Sequence, residues 1–282
     1  MGTGKVLIFG GLGLLGPYIR QAFESAGWQV VSSSRTSRDF PCDLTDPDSV
    51  RNLIERCSPN CVVNLAALAN VDACENDPSA AMLQNAHTVE NIVNALPKDA
   101  HFIQISTDQL YPDTPGPHAE NAAAPVNMYG RSKLQGEEFA LTHPNALVLR
   151  INLFGPSLTP GRQSLSDFYQ KSFTEKTPIG LFEDSYFSPL HMGTIGEMIC
   201  ESAKNGYTGL YNMGSRAGMS KANFARALAA HFDLDVSCAS PAKSSDIPSR
   251  AVRPKDMRMD VTRIERLLGR AMPALNEEIK KL

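Results

Sequence analysis

The chain has 282 residues, of which 42% are hydrophobic and 20% are charged. This composition is ordinary for a globular protein with a sizeable core, built as one large domain or as one domain with a smaller appendage. A net charge of -3 gives no reason to expect binding to nucleic acid or to an anionic membrane. No apolar run approaches the roughly 20 residues that span a bilayer, and a strand that begins within a few residues of Met1 leaves no room for a signal peptide. We therefore expect a cytoplasmic protein.

Six cysteines are spread along the chain, and their spacing bears on metal binding. Cys57 and Cys61 are four residues apart, but no second pair of cysteines or histidines accompanies them at the spacing of zinc ligands. Cys61 opens an apolar run, where a thiol acts as a small hydrophobic side chain. We expect reduced, structural thiols, because disulfides are rare in cytosolic proteins.

The first half of the chain alternates short apolar runs with longer helical stretches. The runs predict strands at Lys5 to Phe9, Gln29 to Ser33, Cys61 to Leu65, His101 to Ser106 and Ala146 to Ile151. Helical periodicity follows these runs, for example over Leu14 to Ala26 and Asp46 to Cys57. Near-continuous apolar strands between helices indicate a parallel sheet that is covered on both faces. The predicted fold is α/β, a doubly wound parallel sheet of the Rossmann type, which binds ligands beyond the carboxyl ends of its strands.

After Ile151 the pattern loosens, and Pro, Ser, Gly and Arg become frequent in two predicted loops. The loops are Leu158 to Gln163 and Pro241 to Pro254; the predicted helices are Ser164 to Lys176, Thr194 to Lys204 and Ser220 to Phe232; a strand is predicted at Gly209 to Met213. Ser220 is a suitable N-cap for the last helix. We expect residues 1–151 to form a dinucleotide-binding domain and residues 152–282 mainly a small mixed α/β substrate-binding domain, with some segments returning to the first.

A glycine-rich turn, residues 10–16 (GGLGLLG), joins the first predicted strand to the first predicted helix. Gly10 would allow the tight turn, Gly13 the close approach of a pyrophosphate, and Gly16 close packing of the helix on the sheet. Free N–H groups at the start of the helix would hold the anion. This position between a strand and a helix favours dinucleotide binding over a purely structural turn.

The end of the second predicted strand should select the cofactor. No Asp or Glu is present there to hold the two hydroxyls of a ribose, whereas Ser33, Ser34, Arg35 and Arg38 could meet a 2′-phosphate. A solvated arginine on a surface loop is the alternative interpretation. We expect NADPH, with NADH also usable.

Tyr129 and Lys133 are four residues apart at the start of a predicted helix, so they lie on the same helical face. We expect the ammonium to lower the pKa of the phenol from about 10 towards the working pH. The tyrosine could then donate a proton to a substrate carbonyl as a hydride arrives. A chance pair on a surface helix is the alternative.

The fourth predicted strand ends in Ser106 and Thr107, followed by Asp108. A hydroxyl at the carboxyl end of this strand would point into the crevice where a nicotinamide lies. Thr107 could then hydrogen-bond the substrate oxygen and polarise it. Simple N-capping by Thr107 is the alternative.

Together these residues resemble the extended short-chain dehydrogenase/reductase family, and within it the dTDP-4-dehydrorhamnose reductase group. The likeness covers nearly the whole chain, and its most specific part is the block from Tyr129 to Glu137. The segments that carry it are Gly10, Gly13 and Gly16, Asp43-Leu44, Val62 to Ala67, Asn85, Ser106 to Asp108, Tyr129 to Glu137, and Arg253-Pro254.

The resemblance implies that Tyr129 is the acid, Lys133 its modulator and a ribose contact, and Thr107 the group that polarises the substrate. With the residues already discussed, the predicted cofactor contacts are Gly10, Gly11, Leu12, Gly13, Leu14, Leu15, Ser34, Arg35, Asp43, Leu44, Ala66, Ala67, Leu68, Asn85, Ser106, Tyr129 and Lys133. Asp43-Leu44 would lie along the adenine, and residues 66–68 along the middle of the cofactor. The predicted substrate contacts are Asp108, Asn152, Phe154 and Arg253.

The activity implied by the resemblance is NADPH-dependent reduction of a keto group on a nucleotide-activated deoxysugar. The hydride would come from the nicotinamide and the proton from Tyr129. A homodimer is common in the family. Some members bind magnesium through glutamates at a dimer interface, but the sequence has no convincing cluster of that kind, so we expect no metal.

The chain departs from the family pattern at Gln109, where the reductases usually carry an aromatic residue, and this change could alter substrate choice. A related dehydratase would need a glutamate there as a base, and a carboxamide cannot accept that proton. Two alternatives stay open. One is a nucleotide-sugar epimerase, and the other is a non-catalytic dinucleotide-binding protein like the regulatory subunit of methionine adenosyltransferase, which resembles the same reductases.

Overall fold

The structure, a computed structural model, describes residues 4–247 and 250–282. The strands are β1 Lys5–Phe9, β2 Gln29–Ser33, β3 Cys61–Asn64, β4 His101–Thr107, β5 Ala146–Ile151, β6 Leu153–Phe154, β7 Ile179–Phe182, β8 Tyr186–Phe187, β9 Leu190–His191, β10 Gly209–Met213, β11 Met219–Ser220 and β12 Ala239–Ala242. The helices are α1 Gly16–Ser25, α2 Pro47–Cys57, α3 Val71–Asn76, α4 Pro78–Met82, α5 Thr88–Ala95, α6 Met128–Ala140, α7 Leu165–Thr174, α8 Met192–Asn205, α9 Lys221–His231, α10 Thr262–Leu268 and α11 Leu275–Ile279. A π-helical turn, Leu83–His87, joins α4 to α5.

Six parallel strands form the central sheet, in the spatial order β10-β5-β4-β3-β1-β2. The strand order reverses between β1 and β3, which is the place where ligands bind in such sheets. Just after β2, an isolated parallel β-bridge joins Ser34 to Pro41. The doubly wound parallel sheet predicted from the sequence is confirmed.

Helices cover both faces of the sheet, so its strands are buried on two sides. On one face, α1 and α8 bury Ile19, Phe23 and Ile195 against the sheet. On the other, α2 and α5 bury Ile54 and Ile92. All seven residues of β4 are buried, which explains why this strand has no polar-apolar alternation. Burial of each large aliphatic side chain stabilises the fold by roughly 1.5–3 kcal/mol.

The second half of the chain returns to this sheet and also builds a smaller core of its own. β10 pairs with β5, and α8 packs on α1. The smaller core surrounds Phe224 of α9 with aromatic rings from Phe154, Tyr169 and Phe187. Around it lie three two-stranded pairings, β7 with β12, β8 with β11 and β6 with β9.

Serine hydroxyls begin two helices of the second half, as expected of N-caps. The Ser164 side chain accepts the Asp167 N–H in a capping box that begins α7, and the Ser220 side chain accepts the Asn223 N–H at the start of α9. The predicted loop Pro241 to Pro254 is wrong at its start, because Pro241 belongs to β12, which pairs with β7. Residues 248–249 of that prediction lie outside the described residues.

Within the described ranges, no helix is long and apolar enough to cross a membrane. All six cysteines are free thiols, and five of them are buried.

Candidate active site

The glycine turn between β1 and α1 is shaped by steric constraints at Gly10 and Gly16. Gly10 has φ of +75°, and a Cβ there would lie 2.7 Å from the Ala66 nitrogen. A Cβ on Gly16 would overlap the Gly11 carbonyl oxygen. Gly16 therefore lets the start of α1 approach the backbone of Gly11 in the turn. Gly13 is the open position, since its Cβ would meet only the Gly10 oxygen, at 3.2 Å.

A cavity of about 520 Å³ opens in front of this turn, at the carboxyl ends of β1, β2 and β3. Its volume falls within the range of small-molecule sites. Eleven of the predicted cofactor residues line it: Gly10, Leu12, Gly13, Leu14, Leu15, Ser34, Arg35, Asp43, Leu44, Ala66 and Ala67. The N-terminus of α1 points N–H groups towards it, with no acidic side chain in its first turn. An elongated dinucleotide fits this combination of open glycine backbone, apolar walls and helix terminus.

The end of the cavity beside β2 has the chemistry of an anion site. Ser34 Oγ is buried and makes no hydrogen bond within the described part of the chain, and Arg35 lines the same cavity. Ser33 does not share this role, because its hydroxyl donates to the Phe40 carbonyl at 2.7 Å. An unsatisfied hydroxyl beside a guanidinium fits a phosphate group.

Six predicted cofactor residues do not line the cavity: Gly11, Leu68, Asn85, Ser106, Tyr129 and Lys133. A Cβ on Gly11 would overlap the Ser32 hydroxyl, so this glycine lets the turn approach β2. The Asn85 side chain, in the π-helical turn, accepts the Leu68 N–H at 2.8 Å and donates to Ser132 Oγ at 3.0 Å. Asn85 therefore ties the loop after β3 to α6, and the structure gives it a supporting position. Such π-helical turns often occur at functional sites.

The three predicted catalytic side chains converge at the carboxyl end of β4. Asn127 caps α6 by accepting the Gly130 N–H at 2.8 Å, which places Tyr129 in the first helical turn. The Thr107 side chain lies near enough to the Tyr129 hydroxyl to oppose the rise of its pKa, and Lys133 Nζ donates to the Ile105 carbonyl at 2.7 Å. Thr107 also accepts the Gln109 N–H at 3.2 Å, so it is both a cap and a partner of the tyrosine. Near these groups, Ser106 Oγ is buried with no hydrogen-bond partner among the described residues.

Burial raises the pKa of Tyr129 to about 12. The prediction that the ammonium lowers this pKa is therefore wrong for the structure. Tyr129 is 9% exposed, and loss of solvation penalises the phenolate, while the Lys133 ammonium is directed to a backbone carbonyl. At neutral pH Tyr129 is a phenol that carries its proton, which is the form that a proton donor needs.

Lys133 is one of two cationic groups that face the carboxylate of Glu137. Burial lowers the pKa of Lys133 to about 8, and the nearby Glu137 carboxylate opposes that shift. Glu137 also accepts three hydrogen bonds from Arg150, at 2.9 and 3.2 Å from Nε and 2.7 Å from Nη2. Both side chains of this pair are 2% exposed. Because its pKa stays near 8, most of Lys133 is charged at pH 7.

Asp108 is a buried carboxyl directly after Thr107. It accepts a hydrogen bond from Asn152 Nδ2 at 2.6 Å, and the Thr107 hydroxyl lies 3.4 Å from its Oδ1. Burial raises its pKa to about 6, although Asn152 and the cation Lys221 oppose the shift. The structure therefore joins two predicted substrate residues, Asp108 and Asn152, and adds Lys221 beside them.

Replacing Asp108 with asparagine should stabilise the fold by an amount that depends on pH. The carboxyl has a pKa of about 6 in the folded chain and an ordinary value of 3.8, so folding opposes its ionisation. The wild-type carboxyl therefore destabilises the fold only when it is ionised. This effect is absent below the ordinary pKa of 3.8 and complete above the folded-state pKa of about 6. We expect the unfolding free energies of D108N and wild type to diverge between about pH 4 and pH 6, reaching about 2–3 kcal/mol. Urea denaturation at several pH values measures this, and a constant difference would contradict it.

Phe154 is not in the cleft, and its predicted substrate contact is wrong. Its side chain has no exposed surface and packs edge-on against Phe224 and His191 in the smaller core. Arg253 is partly exposed and forms an ion pair with Asp72, at 2.8 Å from Nη2 to Oδ2. This pair joins the C-terminal part of the chain to α3.

Two positively charged residues near the site were missed by the sequence analysis. Lys221 is the first residue of α9, and its charge is close enough to be influenced by Asp108, Arg250 and Arg253. Arg162 reaches the dinucleotide cavity from the predicted loop Leu158 to Gln163. A cation next to a cap or inside a Pro- and Gly-containing loop gives no pattern that marks it as a site residue, so only the fold reveals either one.

Comparisons with known proteins extend over the whole chain. The RmlD substrate binding domain family matches residues 4–282. The probable low-salt glycan biosynthesis reductase Agl14 of Haloferax volcanii is 26% identical over 287 residues, which is 98% of this chain and 96% of that protein. Methionine adenosyltransferase 2 subunit beta of Danio rerio is 28% identical over 278 residues, 94% of this chain and 85% of that protein. The crystal structure of dTDP-4-dehydrorhamnose reductase (rfbD) from Bacillus anthracis str. Ames in complex with NADP has a TM-score of 0.91, 22% identity, and coverage of 99% and 98% of the two chains.

Proposed function

The chain belongs to the RmlD substrate binding domain family, and from this membership we propose that it is an NADPH-dependent reductase of a keto group on a nucleotide-activated deoxysugar. The observation that carries the proposal is the meeting of Thr107, a protonated Tyr129 and a charged Lys133 beside the dinucleotide cavity. Two similar proteins, a glycan biosynthesis reductase and a dTDP-4-dehydrorhamnose reductase in complex with NADP, support the same reaction class.

When bound, NADPH supplies the hydride that the carbonyl carbon accepts. Thr107 would hold the carbonyl oxygen by a hydrogen bond, and Tyr129 would transfer its phenolic proton to that oxygen as negative charge develops there. The ketone is thereby reduced to an alcohol, and the tyrosine is left as a phenolate. The Lys133 ammonium, held by the Ile105 carbonyl, would contact the ribose of the cofactor, and solvent would return a proton to the phenolate.

The NADPH preference rests on the anion site at the end of β2. Ser34 offers an unsatisfied hydroxyl and Arg35 a positive charge, and neither an Asp nor a Glu stands at this strand end. A ribose that carries a 2′-phosphate gains a charge-assisted hydrogen bond there, whereas a ribose with free hydroxyls does not. NADH would still occupy the rest of the cavity, with a lower affinity.

The proposal of a nucleotide-sugar substrate is supported by the positively charged residues near Asp108. Lys221, Arg250 and Arg253 lie near enough for their charges to influence one another. A diphosphate linker carries two negative charges and would relieve their mutual repulsion. Asp108 and Asn152, joined by their hydrogen bond, would accept hydrogen bonds from sugar hydroxyls and donate to them. The sugar would then lie between these groups and Tyr129.

The proposal is tested by incubating the protein with a panel of 4-keto nucleotide sugars, each with NADPH or with NADH. We expect loss of NADPH absorbance with at least one sugar, and one NADP⁺ formed for each alcohol produced. Conversion of a sugar to its epimer without net oxidation of the cofactor would identify an epimerase instead. Dinucleotide binding with no turnover of any sugar would favour a regulatory protein like methionine adenosyltransferase 2 subunit beta.

A further inference from the structure

We propose that Arg162 binds the pyrophosphate of the dinucleotide, and that residues 157–163, here called the clamp segment, hold the glycine turn from the second half of the chain. This inference rests on the proposed function in one respect, since it requires that a dinucleotide occupies the cavity. It assigns a cofactor contact to a part of the chain that the sequence analysis treated only as a loop.

The clamp segment is fastened against the glycine turn and α1. Thr159 Oγ1 donates to the Gly13 carbonyl at 3.0 Å, and the Tyr18 hydroxyl of α1 donates to the Pro156 carbonyl at 2.7 Å, just before the segment. Gly13 is the glycine with open space, where the backbone can approach a pyrophosphate. The two hydrogen bonds therefore place the clamp segment beside the pyrophosphate end of the cavity.

Internal bonds give the clamp segment a definite shape that carries Arg162 forward. Ser157 accepts the Thr159 N–H at 3.3 Å and donates to its carbonyl at 3.1 Å, while the Arg162 N–H closes a turn onto the same carbonyl at 3.2 Å. Gly161, in the middle of that turn, has φ of +74° with open space around it. The turn brings the Arg162 side chain to the lining of the dinucleotide cavity.

The charges around the cavity favour the pyrophosphate as the partner of Arg162. The turn and the first turn of α1, residues 10–19, contain no charged side chain, so the helix terminus is their only positive contribution. Arg162 is exposed, and its guanidinium makes no ion pair or hydrogen bond within residues 4–247 and 250–282. Arg35, the other cation of the cavity, stands at the end of β2. The two arginines thus suit two different anionic groups of one ligand.

The test compares Arg162→Gln with Arg35→Gln by measuring dissociation constants for NADPH and for NADH, through fluorescence and calorimetric titration. We expect R162Q to weaken both dinucleotides by about tenfold, because both carry the pyrophosphate. R35Q should weaken NADPH by a similar factor and leave NADH nearly unchanged. Arg20→Gln, an exposed arginine of α1 that pairs with Glu24, is the matched control and should change neither constant.

Three results would overturn the inference. One is that R162Q binds both dinucleotides as wild type does. Another is that R162Q loses affinity for NADPH alone, which would move Arg162 to the 2′-phosphate. Wild type that binds neither dinucleotide would overturn this inference together with the proposed function. Because wild-type binding is measured in the same titrations, failure of the clamp and failure of the proposed function give different results. Thr159→Val supplies a second variant, which should weaken both dinucleotides less than R162Q does.

Discussion

Replacing Tyr129 with phenylalanine is expected to lower kcat for sugar reduction by about 10³-fold, with little change in the dissociation constant of NADPH. The variant keeps the ring, which packs with Cys74 and Ala81, and removes only the hydroxyl, which lies near Thr107. Loss of the proton donor leaves the developing alkoxide to be protonated by water. Steady-state rates with the best sugar of the panel, together with NADPH titration, measure both quantities.

The matched control for this substitution is Tyr169→Phe, another buried tyrosine, which lies on α7 in the smaller core. Burial also raises the pKa of Tyr169 to about 12, so both phenols keep their protons at neutral pH, but Tyr129 is the one that lies near Thr107 and Asp108. Y169F should keep kcat close to that of wild type. Full activity of Y129F would show that another group donates the proton. If the affinity for NADPH fell by as large a factor as kcat, the tyrosine would instead be assigned to cofactor binding.

Replacing Glu137 with leucine is expected to destabilise the fold by about 3–5 kcal/mol, because it leaves the buried charge of Arg150 without its partner. Arg150 makes three hydrogen bonds to this carboxylate and donates to the Glu120 carbonyl at 2.7 Å. Its side chain is 2% exposed, so water cannot replace the lost partner. Urea denaturation of E137L and of wild type gives the difference in unfolding free energy.

The double variant E137L/R150M separates the loss of a charge from the loss of packing. If the cost of E137L comes from an unpaired buried charge, removing that charge as well should restore part of the lost stability. The exposed pair of Arg20 and Glu24 serves as the control, and Glu24→Leu there should cost less than about 1 kcal/mol. A double variant less stable than E137L would show that the arginine stabilises the fold through contacts other than Glu137.

Most of the sheet could be predicted from the sequence, because its strands appear there as apolar runs with defined ends. The predicted bounds of β1, β2, β5 and β10 are those of the structure, β3 is one residue shorter and β4 one residue longer. The serines that cap α7 and α9 were also visible as helix starts. These signals are local, since they depend on side-chain periodicity and on the residue just before a helix.

The site was predictable only where its chemistry is local. Tyr129 and Lys133 are fixed by spacing on one helix, and Gly10 by the turn that it makes. Two features of the site depend on burial in the folded chain and could not be predicted from the sequence. Burial raises the pKa of Tyr129, and Phe154 is buried in the smaller core. Arg162 is more than a hundred residues along the chain from the glycine turn that it faces. Local periodicity in the sequence does not predict contacts between residues that are so far apart along the chain.

The return of β10 to the sheet has a consequence for how this protein can vary. The chain leaves the sheet after Ile151 and rejoins it at Gly209, on the strand directly beside β5. Everything between, including the clamp segment and Asn152, is an excursion that leaves the sheet at the carboxyl end of β5 and returns at the amino end of β10, because Gly209 pairs with Leu147 and Met213 with Ile151. The clamp segment and α8 contact the glycine turn and α1, so they are tied to the nucleotide half. The rest of the excursion, which includes the smaller core, can change in length and shape, so specificity for the sugar can change while the nucleotide half keeps its geometry. A fragment cut after Ile151 would expose an unpaired strand edge, which invites aggregation.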